Sequence, residues 1–255
     1  MMNSFITTLK FRNEPLFYFG LVCLVSAVIF LCATKFSPVK VRSVNAWYKP
    51  CKFALSIGIF SWTMAWFTWY LQLPGEIIWY NWVIVITLGF ELVYITLQAA
   101  RGQLSHYNVS SPLYTALTVL MAVAALIATL HTGYIGILFC TKALPALPNY
   151  YLLAIRMGII FFVVFALEGA LMGARGSHTI GGPESGDGLP LLGWSRKFGD
   201  ARIAHFVGMH ALQVLPLLAF YLLKDIRYTL FLGAVYGIMA ILILVQALNG
   251  KPLIN

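Results

Sequence analysis

Residues 199–216 read "GDARIAHFVGMHALQVLP". Beyond Arg202 the run is apolar and helical in composition, yet it carries two histidines, His205 and His210, five positions apart. Imidazole is costly among lipid tails, so an ionisable residue at membrane depth is read first as functional. Whether this stretch is a membrane helix decides the fold, because the rest of the chain has the same character. Of its 255 residues 60% are hydrophobic and only 10% charged, against about 25% charged in soluble domains. The mean hydropathy is +0.84.

Seven segments reach the roughly 20 apolar residues that a bilayer crossing needs: 15–34, 53–73, 77–100, 113–140, 149–174, 203–223 and 228–248. The expected fold class is all-α, a polytopic bundle of seven transmembrane helices forming one domain over 1–255. Period-two alternation is absent, which argues against a barrel. The fourth segment would rise roughly 42 Å as a helix, so it either tilts or breaks near Gly133 and Gly136. The first apolar run lacks a small-residue cleavage site and is read as a retained helix. No clear internal repeat is visible, which does not favour a transporter built from matched halves.

The net charge of +9 lies in the loops. One side holds Lys10, Arg12, Lys142, Lys224 and Arg227; the other holds eleven basic residues. The positive-inside rule makes the richer side cytoplasmic, with the N-terminus out and the C-terminus in. Charge arranged this way writes topology and gives no support for nucleic-acid binding. Cys23, Cys32, Cys51 and Cys140 show no paired spacing, so neither a disulfide framework nor a thiolate metal site is expected.

Polar residues gather toward the cytoplasmic ends of the spans. The third runs "GFELVYITLQAARGQLSHYN", with Glu91 inside and Arg101 and His106 beyond its end; the fifth runs "FALEGALMGARGSHTIGG", with Glu168 inside and Arg175 and His178 beyond. The sixth enters from that side, placing His205 roughly 7 Å and His210 roughly 15 Å above Asp200. Histidine with carboxylate is a ligand set for zinc or iron, and also what proton relays use. Five residues turn a helix by about 140°, so His205 and His210 do not bind one mononuclear metal together. Gln213, three residues past His210, is placed to orient its ring from outside the ligand set. Taken singly, each residue also suits a structural role: a histidine bonding a neighbouring helix, a glutamate buried as a neutral acid. Arg156, toward the outer end of the fifth segment, is read as structural, and His131, also toward the outer side, as separate from this group. The loop 175–202 is Gly-rich, and its "GGPESGDG" could wrap an anion with backbone N–H groups.

The strings "ARGQLSHYN", "SHTIGGPESGDGLPLLGWS" and "GDARIAHFVGMHALQVLP" resemble a group of uncharacterised bacterial multi-pass integral membrane proteins. The resemblance covers about half the chain and implies an integral fold in the bacterial inner membrane, with no activity attached. The leading expectation is a metal-dependent enzyme acting on a lipidic or membrane-surface substrate. His106, His178 and one of His205 or His210 would be ligands, Glu168 or Glu91 ligand or general base, and Arg101 and Arg175 the attraction for an anionic group. One alternative is a b-type haem protein exchanging electrons with quinone. Another is a proton-coupled transporter in which the same residues relay protons.

Overall fold

Polar caps and prolines set where the helices begin. In the computed structural model, which describes residues 2–144, 147–183, 188–189 and 192–254, α1 spans Met2–Arg12 and α2 Glu14–Phe36, the latter capped by Asn13, whose Oδ1 accepts from Leu16 N. α3 is Tyr48–Thr68, extended by a 3-10 turn over Trp69–Leu71. Prolines open α4, Pro74–Ala100, and α5, Pro112–Thr141, as the missing N–H allows at a helix start. α6 is Asn149–Arg175. Asp200 caps α7, Ala201–Leu218, which widens into a π turn over Ala219–Leu223; Asp225 caps α8, Ile226–Leu248. The strands form two antiparallel ribbons: β1 (Lys40–Val41) with β2 (Val44–Asn45), and β3 (Thr179–Ile180) with β4 (Gly199–Asp200).

The chain is thus all-helical in class, and among the described residues six helices are long and apolar enough to cross a membrane: α2, α4, α5, α6, α7 with its π turn, and α8. They turn large apolar side chains outward; α8 alone exposes Leu230, Phe231, Ile238, Ile241 and Leu242. Water-soluble proteins rarely present apolar surface on that scale, and this is the surface of a multi-pass membrane protein. The expected span 53–73 is α3, which begins earlier, at Tyr48, and ends where Gln72 turns left-handed at φ 52°. Lys49, Lys52 and its Ser, Thr and Trp residues make it less apolar than the other six. α5 runs unbroken through Gly133 and Gly136. The N-terminal arm, expected as a loop, is the helix α1, on which Phe5 stacks against Trp66 at 5.5 Å and Arg12 lies over the same indole at 3.7 Å.

The chain divides into two compact units, Met1–His131 and Thr132–Asn255. In the first, α2 and α3 approach through Gly20 and Gly58: a Cβ on Gly58 would lie 2.8 Å from Leu24. Leu92 of α4 joins Cys23, Ala27, Ala54 and Ile57 in the core. At the start of α2, the Asn13 and Asn81 side chains exchange amide hydrogen bonds of 2.9 and 3.0 Å, and Asn13 also donates to Thr68. In the second unit, α6 and α7 meet along small residues. Gly158 faces the backbone of Ala211 and Leu212, Gly208 faces the Phe165 ring, and Gly169 faces His205. Small side chains let membrane helices approach closely enough for dispersion and carbonyl contacts to hold them. Arg156 donates from Nε and Nη2 to the Phe139 carbonyl at 3.0 and 2.8 Å, capping the open C-terminal end of α5 with a cation.

One plan recurs in both units. A long helix (α2, α6) leads into a loop closed by a two-stranded ribbon, then a second helix (α3, α7). That helix ends in a short irregular turn and one left-handed residue, Gln72 or Lys224, and a third helix (α4, α8) starts two residues later. The second helices share a pattern: Lys52, Ala54, Ile57 and Gly58 in α3 match Arg202, Ala204, Val207 and Gly208 in α7. Both alanines are fully buried and both glycines touch the first helix of their own unit. Identity is too sparse for the repetition to stand out in sequence.

Candidate functional site

The start of α7 is locked by Asp200. This fully buried carboxylate accepts from the backbone N–H of Ser195 and Arg202 and from the Arg202 guanidinium, which also donates to the Gly193 carbonyl. Burial alone would push the carboxyl up. The Arg202 hydrogen bonds and charge, the Ser195 N–H and the nearby His178 outweigh it, and Asp200 titrates below the ordinary carboxylate range. A depressed folded value means the clasp stabilises fully above the unfolded value, about 3.9, and is lost as pH falls through the folded one. Amide exchange at Ser195 and Arg202, corrected for intrinsic rate, should therefore accelerate in acid below about pH 4. Asp200→Asn should exchange fast at neutral pH and lose that acid dependence.

One turn into α7, His205 reaches α6. Its Nδ1 lies 2.6 Å from the Phe165 carbonyl and 3.4 Å from Glu168 Oε2. A carbonyl only accepts, so Nδ1 carries a proton directed at Phe165. The carboxylate is close to this nitrogen but off the N–H direction, and neither Glu168 oxygen has a hydrogen-bond partner although its side chain is only 6% exposed. The imidazole lies against Gly169, where a Cβ would stand 3.2 Å from its Cε1. One turn of α6 thus supplies the carbonyl, the carboxyl and the space. Phe165, whose carbonyl the imidazole meets, and Ala204, its neighbour in α7, belong to a buried apolar cluster with Ala240. The arrangement sets a buried, unbonded carboxyl beside a half-buried imidazole, two groups that can each take up and release a proton.

His210 faces elsewhere, as the five-residue step requires. Its Nδ1 is 3.2 Å from Gln213 Oε1, and its ring packs edge-on against Phe206, 4.3 Å between centroids. Trp194 of the loop continues this aromatic contact on Phe206. His178 sits beside Thr179, 3.3 Å from its hydroxyl, and its carbonyl accepts from Ala201 N. Arg175, in the last turn of α6, is exposed.

In the first unit, Glu91 is buried in α4 and its Oε1 has no hydrogen-bond partner. His106 lies past the end of that helix, against Phe53 and Tyr107 and 3.3 Å from the Ser105 hydroxyl. Arg101 caps α4 and is exposed. His131 is held by its own helix, at the Ile127 carbonyl.

Within the second unit, Glu168 and His205, two of the residues expected to gather, lie in contact. Among the described residues no three His, Cys, Asp or Glu side chains lie close enough together to hold a metal ion. Residues 184–187 of "GGPESGDG" lie outside the described residues; farther along the loop, Gly199 in β4 lies against the backbone of Ala247 with no room for a side chain. Sequence reasoning missed Gly169, Gly208 and the Phe165 carbonyl. The first two carry a faint signal as small residues on facing helix surfaces; a carbonyl carries none. No protein-family model, curated protein or solved structure matches the chain.

Proposed function

We propose that the protein is a proton-coupled transporter of the bacterial inner membrane, with the Glu168–His205 pair as its protonation site. In this reading α3 is the seventh span, the N-terminus is outside and the C-terminus inside, in keeping with the basic residues counted on each side. The observation that carries it is the pair itself: a buried carboxyl with both oxygens unbonded, 3.4 Å from an imidazole. Intramembrane Glu–His pairs serve proton relays in pumps and transporters. Two units of one three-helix plan add support, since many secondary transporters are built from repeated halves.

The test is proton movement. Purified protein in liposomes loaded with a pH-sensitive dye, under a potassium diffusion potential, should take up protons faster than protein-free liposomes. Uptake at the protein-free rate overturns the reading. A second reading, a haem or metal protein, draws on one feature: His205 and His210 both turn Nδ1 to an oxygen, leaving Nε2 to ligate. A Soret band in the purified protein would favour haem, elemental analysis would find a bound metal, and a colourless, metal-free protein removes both.

A further inference from the structure

The inward face of α4 carries a run of mostly polar side chains. Tyr80, Ile84, Thr87, Glu91, Tyr94 and Gln98 recur at alternating steps of four and three, the spacing of one helix face. All six are buried, and five bear a hydroxyl, carboxyl or amide. From Tyr80 to Gln98 the helix rises about 27 Å, close to the roughly 30 Å of a hydrocarbon core. The opposite face, with Trp82, Ile86, Val93 and Leu97, is exposed and apolar. Spending five polar side chains on the buried face of a membrane helix is costly unless they bond one another or serve a path.

Their bonding is incomplete at one position. Gln98 donates to Tyr94 Oη at 3.3 Å and to the Leu104 carbonyl at 3.0 Å; the Thr87 hydroxyl donates to the Val83 carbonyl at 2.7 Å. Glu91 Oε1, at 7% residue exposure, has no partner. Thr87 and Tyr94 stand one turn to either side of it. On the helices packed against α4, the charged residues are Glu14 and Lys35 near the ends of α2 and Lys49 and Lys52 in the first turns of α3. Titratable groups packed near this part of α4 include Cys23, in the cluster with Leu92, Tyr114, whose interaction is with Tyr94, and His106, against the Phe53 ring that borders both Leu92 and Tyr94. Glu91 is the only acid within the run.

We infer that the buried face of α4 is a proton path, with Glu91 as its protonation site and the Thr87 and Tyr94 hydroxyls and Gln98 amide as its steps. The path lies wholly within the first unit and does not rest on the Glu168–His205 reading. A proton, rather than a sodium ion, is the species carried, because one carboxyl and widely spaced hydroxyls fall short of the oxygen cage a metal cation needs.

Infrared spectroscopy of the full-length protein in lipid tests this without transport. The wild-type minus Glu91→Gln difference spectrum should contain a protonated-carboxyl band that shifts on transfer to D₂O. In the Thr87→Val/Tyr94→Phe double variant, which keeps shape and loses both hydroxyls, that exchange should slow by about tenfold, the weight of a hydrogen-bonded step. Glu168→Gln should leave it unchanged. Absence of the band, a band that does not exchange, or equal exchange in the double variant overturns the inference. Failure of liposome proton uptake with this exchange intact would count against the proposed transport and not against the path.

Discussion

Glu168→Gln is expected to abolish proton uptake by the reconstituted protein while leaving it folded. The amide matches the carboxyl in shape, and neither Glu168 oxygen makes a hydrogen bond that the substitution would break. What disappears is the ability to bind and release a proton 3.4 Å from His205. Loss of a positioned acid or base costs about a hundredfold or more in proton transfer, enough to bring uptake to the protein-free leak. Glu168→Asp keeps the acid but withdraws it toward α6, so it should retain measurable uptake. If Glu168 is only a packed neutral acid, the Gln variant will take up protons like the wild type, and the assignment of this pair fails.

The largest loss of stability is expected from Gly208→Ala. A Cβ at this position would be driven into the Phe165 ring at its root, where Cγ and Cβ cannot swing away. Overpacking of this kind typically costs about 1–3 kcal/mol. Here it also pushes away the residue whose carbonyl holds His205. Thermal unfolding in detergent should show a clear fall, and Phe165→Leu, which shrinks the obstructing ring, should recover part of it in the double variant. The matching Gly58→Ala should cost less, since its Cβ would meet the Leu24 side chain at 2.8 Å and the Gly20 carbonyl at 3.1 Å, longer approaches than the one at Phe165. Equal losses at the two glycines would show that their contacts differ less than the close approach at Phe165 requires.

Much of this molecule was legible without coordinates. Apolar run length announced the helices, because a backbone in lipid must bond to itself, and α4, α5, α6 and α8 fall within a few residues of their expected limits. Helical rotation predicted that His205 and His210 face apart and that Gln213 serves His210, since i, i+3 and i+5 relations are local geometry. α1 was missed because its helix rests on aromatic contacts to α3, which leave no period in the segment itself. The repeated three-helix plan was missed because backbone turns and ribbons carry it, with few shared residues.

The sequence by itself determined the class, an all-helical chain built of long apolar segments, and the short list of ionisable residues that lie within those segments or just beyond their ends. Periodicity and composition act residue by residue along one helix, so they reach that far. Only the tertiary structure decided which of those residues meet. It joined His205 to Glu168 through the space left at Gly169, held His178 beside Asp200 at the foot of α7, and turned Glu91 onto a buried polar face of α4. Such pairings depend on the approach and register of separate helices, set by glycines and carbonyls that look ordinary until two surfaces are pressed together.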